Sequence, residues 1–206
     1  MLGLPSTTEV GRRIPKEAFY EHLKVSAALR QSFVNDVECF TVVHSIKTAT
    51  TGIPDGERVH EVLVVEVALR ACNVPEGVLS RVAQTNPHKL LFVCTYGGEA
   101  CLAVMLKRLV VSPWRAADEW AVDLRAGSID EVWDSLASQV AYGDAGDRRA
   151  TVEERFETDA RLNALREELA RVEVRGRKER QVARKNALFD KVKELKRQIA
   201  DIEKGR

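Results

Sequence analysis

The chain has 206 residues, 45% of them hydrophobic and 31% charged, with a formal net charge of +1 at pH 7. That length accommodates one domain with a full core plus an appendage, since domains run to ~100–200 residues. No apolar run approaches the ~20 residues of a membrane span, and the opening residues lack the basic region and ~7–15-residue apolar stretch of a secretory signal, so the expected compartment is the cytoplasm.

The near-neutral total conceals a division. Residues 1–150 carry 16 Lys and Arg against 19 Asp and Glu, whereas residues 151–206 carry 16 against 12. Every Trp, Tyr and Cys lies in the first part, so only that part has the side chains of a conventional core. Cys39, Cys72, Cys94 and Cys101 show no paired spacing and no histidine at zinc-site distance. Each lies in or beside an apolar run, where a thiol behaves as a small buried hydrophobe; no metal and no cofactor is expected.

In chain order, Pro15 suits the first position of a helix over residues 16–23, and Ser26 suits the N-cap of a second over residues 27–35, with Leu29 and Phe33 on one face. Residues 37–50 and 58–70 are rich in β-branched side chains and flank a run of turn formers at residues 52–56, which predicts a hairpin. In the second strand Val59, Leu63, Val65, Val67 and Leu69 form the core face, and His60, Val62, Val64, Glu66, Ala68 and Arg70 form a mixed, partly open one. Pro75 opens a helix with Val78, Leu79 and Val82 as its stripe, and Asn86 and Pro87 stop it. Residues 89–96 and 99–110 flank Gly97 and Gly98, the signature of a tight primed turn. A short strand over residues 120–124 and a helix over residues 128–140, with Ser128 and Glu131 as a capping box, complete the domain. The fold class is therefore α+β, a mostly antiparallel sheet in the order hairpin, helix, hairpin with packed helices.

Residues 147–150 read as a linker between an α/β domain at 1–146 and a charged coiled-coil arm at 151–206. In the arm, Leu162, Leu165, Leu169 and Val172 step by 3, 4 and 3, and Leu188, Val192, Leu195, Ile199 and Ile202 step by 4, 3, 4 and 3, the spacing of a coiled-coil seam. The two seams are out of phase, and Gly176 lies between them. A helical hairpin turning near residues 174–177 explains both facts, as does one long helix with a skip in register. The second seam needs a covering surface, either the first arm helix or another chain.

The sequence contains no recognisable catalytic, metal or nucleotide motif. Gly97 and Gly98 lack the Lys and Ser or Thr of a phosphate loop, and the four histidines have no ligand spacing. Residues 171–185 hold seven bases, Arg171, Arg175, Arg177, Lys178, Arg180, Arg184 and Lys185, against two acids. At a hairpin tip these make a basic knob suited to phosphate backbones; on an isolated helix they are an ordinary solvated face. Helical spacing groups Arg177, Arg180, Arg184 and Lys185. Glu66 is a carboxylate inside an apolar strand and, with Glu38, is a candidate metal-binding acid of a divergent nuclease. Ala68 stands where such nucleases place a lysine, leaving Lys47 and Lys107 as the remaining bases.

The opening Leu4, Pro5, Ser6, Thr7, Thr8, Glu9, Val10, Gly11, Arg12, Arg13, Ile14, Pro15 and Lys16 with Phe19 and Tyr20, the pair Glu119 and Trp120, and the tail residues Lys178, Glu179, Arg180, Gln181, Arg184 and Lys185 resemble the bacterial domain-of-unknown-function 4391 family. The resemblance assigns no activity and no catalytic residue. It implies a neighbourhood of helicases and DNA methyltransferases of restriction or phage-defence type. The expectation is an accessory or scaffold subunit of a DNA-transacting assembly, more a binding protein than an enzyme. Its partner would be a larger protein such as a helicase or methyltransferase, with nucleic acid as a second partner and a homodimer or the nuclease as alternatives.

Overall fold

The structure is a computed structural model and describes residues 2–15, 18, 25–124, 126–146 and 150–204. The helix expected over residues 16–23 and most of the expected linker lie outside the described residues. By its internal contacts the chain divides into two compact units, Met1–Val152 and Glu153–Arg206.

The first unit opens with a short 3-10 turn at Ser6–Thr8 and the strand β1, Glu9–Ile14. Helix α1 spans Ala27–Asn35, and its N-cap Ser26 accepts a hydrogen bond from the Leu29 amide at 3.2 Å, as its residue type predicts. Strand β2, Val37–Ile46, is shorter than the expected 37–50. Residues Thr48–Thr51 instead form the single turn α2, in which the Thr50 and Thr51 hydroxyls donate to the Lys47 carbonyl. Threonine hydroxyls compete for backbone groups in this way and end the ladder.

Strand β3, Val62–Leu69, pairs antiparallel with β2. It starts four residues later than predicted because the amides of Glu57, Arg58 and Val59 donate to the Asp130 carboxylate at 3.1, 3.1 and 2.7 Å, which leaves them none for a ladder. Helix α3, Glu76–Thr85, buries the predicted Val78, Leu79 and Val82. Strand β4, Lys89–Tyr96, lies parallel to β3, and Gly97 and Gly98, at φ +58° and +88°, turn it into β5, Glu99–Met105. The expected strand over 99–110 is broken: the Leu106 amide bonds Arg108, and β6, Leu109–Val111, folds back onto β5.

Strand β7, Arg115–Ala116, also pairs with β5. No strand forms over residues 120–124; Trp120 is held instead by its indole N–H donating to the Ala100 carbonyl at 2.9 Å, and Ala121 makes only an isolated bridge to Leu2. Helix α4, Ile129–Tyr142, begins at the N-cap Ser128, whose hydroxyl accepts from the Glu131 amide. The return bond of the expected capping box is displaced by one residue, from Gly127 rather than Ser128 to Glu131.

The seven strands make one sheet in the order β1-β2-β3-β4-β5-β6, with β7 on β5 and only β3–β4 parallel. Both faces are covered. Val62, Val64, Leu91, Val93 and Leu102 pack with Trp133 and Leu136 of α4, while Val65, Val67, Leu69 and Phe92 pack with Phe33 of α1 and the stripe of α3. On the face of β3 read as mixed and partly open, Val62 and Val64 are buried while Glu66 and Ala68 stay half-buried; a strand joined to its parallel neighbour by a helical crossover sits between layers. Cys94 and Cys101 are buried directly opposite one another across β4 and β5, whereas Cys39 is half-buried and Cys72 exposed. Cys72 therefore departs from the buried reading; it follows the end of β3, outside the apolar run. Burial and the neighbouring thiol hold the Cys94 proton on, the hydrogen bond to Cys101 being the larger cause. Among the described residues no helix is long and apolar enough to cross a membrane.

The second unit is two helices, α5 at Val152–Lys178 and α6 at Val182–Lys204. Three ion pairs between them, Arg166–Glu203 at 2.7 Å, Glu168–Lys191 at 2.5 Å and Glu173–Lys196 at 3.0 Å, set an antiparallel hairpin.

Candidate nucleic-acid interface

The arm hairpin turns at residues 179–181, not at Gly176. Glycine is a poor helix former, which is why it reads as a break, yet Gly176 is buried inside α5, and a β-carbon there would come within 3.8 Å of the Leu188 side chain. Gly176 lets the second helix approach closely. The turn is held by Glu179, whose Oε1 accepts from the Gln181 amide at 2.8 Å, while the Gln181 carbonyl receives the Lys185 amide. The one acid at the tip is thereby occupied in capping the second helix.

The seam residues turn toward α5. Leu195 is buried, and Leu188, Val192, Ile199 and Ile202 are half-buried, with Leu188 and Val192 sharing a groove with Val172 and Gly176. The first arm helix is therefore a covering surface for the second seam. Along the stem, Arg166, Lys191 and Lys196 are paired with acids of the opposite helix. Bonding to Lys191 is the main cause that holds the Glu168 carboxyl below its ordinary range, and bonding to Gln198 does the same for Glu194.

At the tip the matching stops. Arg175, Arg177, Lys178, Arg180, Arg184 and Lys185 make no ion pair with any described carboxylate. Arg175, Lys178, Arg180 and Arg184 line one groove with Leu188 and Lys191, while Arg177 and Lys185 line the groove with Phe189. Of the four bases that helical spacing groups together, Arg180 and Arg184 thus share one side and Arg177 and Lys185 the other, because the turn between residues 178 and 182 interrupts the helical phase. Two residues escaped the sequence reading. Phe189 is half-exposed, with the Lys185 ammonium 6.0 Å from its ring, an aromatic placed one turn beyond the basic run. Val182 is 72% exposed one heptad before it. The spacing of Lys185 and Phe189, four apart on one helix, was the signal for the first.

The two acids proposed from the strands are not brought together. Glu66 opposes Thr41 across the ladder, and Thr95 donates to its Oε1 at 3.4 Å. Glu38 is the extra residue of a bulge at the start of β2 and is exposed. Lys47 is ion-paired with Glu61 at 3.3 Å, and Lys107 lies in the turn between β5 and β6. Glu66 faces a cavity shared with His44 and Glu9, a neighbourhood that strand spacing alone did not reveal.

The family described as domain of unknown function (DUF4391) matches residues 2–199. No curated protein and no solved structure matches the chain.

Proposed function

The chain belongs to the DUF4391 family, and from that premise we propose that it is a cytoplasmic accessory or scaffold subunit of a DNA-transacting assembly of the restriction or phage-defence type. Its sheet unit docks a larger protein, such as a helicase or methyltransferase, and its arm touches the phosphate backbone of nucleic acid. The observation that carries this reading is the contrast along the arm: Arg166, Lys191 and Lys196 of the stem are paired with acids of the opposite helix, and the six tip bases are not. Unpaired cations at an exposed turn attract phosphates without the cost of breaking an existing ion pair. The amino terminus of α6 adds the positive end of its dipole at the same place.

Each phosphate neutralised releases counterions, so binding weakens with salt at a slope of about −0.9 per contact on duplex DNA. A groove lined by Arg175, Lys178, Arg180 and Arg184 implies roughly three or four contacts and about a hundredfold loss between 50 and 200 mM salt. Affinity should be largely independent of sequence, because phosphate contacts position a protein without reading bases. Reversing Arg180 and Arg184 to Glu should flatten the salt slope by about two units and leave helicity intact. A wild-type chain that shows no mobility shift with DNA or RNA at low salt removes nucleic acid from the proposal. Pull-down from native cells followed by mass spectrometry tests the scaffold, and recovery of the bare chain alone, or only of its own dimer, counts against it.

A further inference from the structure

Two irregularities fall side by side in the sheet unit. Strand β1 gains one residue between the pairs Glu9↔His44 and Arg12↔Val42, with Gly11 at φ +64°, and β2 gains one between Val42↔Val65 and His44↔Val64. A bulge bends its strand and re-aims a side chain. Here the two border a cavity of about 550 Å³ whose lining includes Val10, Gly11, Val43 and His44. Leu2, also in the lining, is 1% exposed and held at φ +64°, a backbone region costly for a branched side chain and concentrated at functional positions.

His44 is only 8% exposed. Its Nδ1 lies 2.9 Å from the Thr8 hydroxyl oxygen, and that hydroxyl donates its one proton to the Pro5 carbonyl at 2.7 Å. With its proton given to Pro5 the hydroxyl accepts from the ring, an arrangement that assigns the imidazole proton to Nδ1 and leaves Nε2 as the acceptor. Nε2 has no hydrogen-bond partner among the described residues and is not sealed in the core. Burial lowers the His44 pKa and favours the neutral ring, against the opposing pull of the Glu9 carboxylate. Glu9 and Glu66 are the other polar groups of the lining, and no Lys or Arg is among the described residues there.

We propose that this cavity binds a small organic amine in its ammonium form, the N–H groups donating to His44 Nε2 and the carboxylates of Glu66 and Glu9. The amine's apolar body lies against Leu2, Val10, Val43 and Val93. An anion would face the two carboxylates of the lining. A neutral apolar molecule would cover His44 Nε2 without pairing it, at the desolvation penalty of an unmade hydrogen bond. A divalent metal demands several converging ligands, and among the described residues no three His, Cys, Asp or Glu side chains are grouped to supply them. The volume falls within the ~300–1,000 Å³ usual for small-molecule sites.

The test uses the full chain with nitrogen-15 histidine and hexylamine as probe, with hexan-1-ol as its neutral twin and magnesium chloride as the metal arm. Long-range proton–nitrogen spectra of the free protein should show His44 as the Nδ1–H tautomer. Hexylammonium should shift the Nε2 resonance saturably, and hexanol should not. Glu66→Gln should weaken hexylammonium at least about tenfold, the loss expected of one charge-assisted hydrogen bond. If Glu66→Gln reduces the folded fraction, Glu9→Gln on the exposed strand β1 carries the same comparison. An Nε2–H tautomer in the free protein, an equal response to hexanol, a saturable shift from magnesium instead, or no response to millimolar hexylammonium would each overturn the proposal.

Discussion

The sheet unit and the arm are held together by different physics. Strand β3 has core on both sides, with Val62, Val64 and Val67 fully buried and Val65 and Leu69 at 3% and 4% exposure. In the arm, Leu195 is the buried member of a five-residue seam, and the rest of that seam is half open. A two-faced core tolerates little truncation, whereas a thin seam laced with exposed charge holds register at small energetic cost and can present a tip. The sharpest way to break this contrast is the largest: Trp133→Ala, which empties a fully buried site on α4 and should cost about 3–5 kcal/mol. Tryptophan fluorescence reports this unit alone, since all three Trp lie within it. A loss below about 1 kcal/mol would mean that the core is less close-packed than its burial implies.

In the arm, Leu195→Asp places an unpaired charge at a 4% exposed position and should cost about 2–3 kcal/mol. Hydrogen exchange should accelerate across α6 while the tryptophan transition stays put. If both units melted in one transition, their independence would be disproved. Gly176→Ala has the opposite sign: the added methyl makes an ordinary contact 3.8 Å from Leu188, and the helix gains about 0.5–1 kcal/mol. Smaller still is the coupling between Glu173 and Lys196, 34% and 59% exposed, for which a double-mutant cycle should return less than about 1 kcal/mol.

What was legible in the sequence was local. Ser26 and Ser128 as caps, the stripe of Val78, Leu79 and Val82, and the Gly97–Gly98 turn each depend on neighbours within four residues, and each stands as read. What failed depended on distant partners. Arg58 and Val59 have strand composition but give their amides to Asp130, some 70 positions away; Trp120 answers to Ala100 rather than to a ladder. Gly176 reads as a possible break because its contact, Leu188, lies on the other helix. Of the two candidate acids, Glu66 faces a cavity and Glu38 does not line it, because that cavity is made by two bulges whose register no alternation pattern encodes. His44, one of four histidines without ligand spacing, gives no sign of its place for the same reason: its ring is held by Thr8, 36 residues earlier.

The subtlest difference between the two units should appear in their response to acid. His44 has its pKa lowered, burial being the main cause and Glu9 the opposing one. A histidine depressed in the folded state binds its proton more readily when unfolded, so its contribution to stability is present above the unfolded value of 6.5 and is lost as pH falls through the folded one. In the arm the depressed groups are the exposed Glu168 and Glu194; by the same sign their contribution is present above the ordinary carboxylate value of 4.5 and fades only below it. Between pH 7 and 5 the denaturation midpoint of the sheet unit, read by tryptophan fluorescence, should therefore fall while exchange protection in α6 holds. Below 4.5 Glu61, whose pKa is lowered by Ser45, Lys47 and His88 against the raising effect of burial, adds a further loss to the sheet unit. His44→Gln separates the two steps: it should flatten the loss between pH 7 and 5 and leave the loss below 4.5 unchanged. An undiminished slope in that variant would move the acid sensitivity of the sheet away from His44 and undercut the buried neutral imidazole on which its bare Nε2 depends.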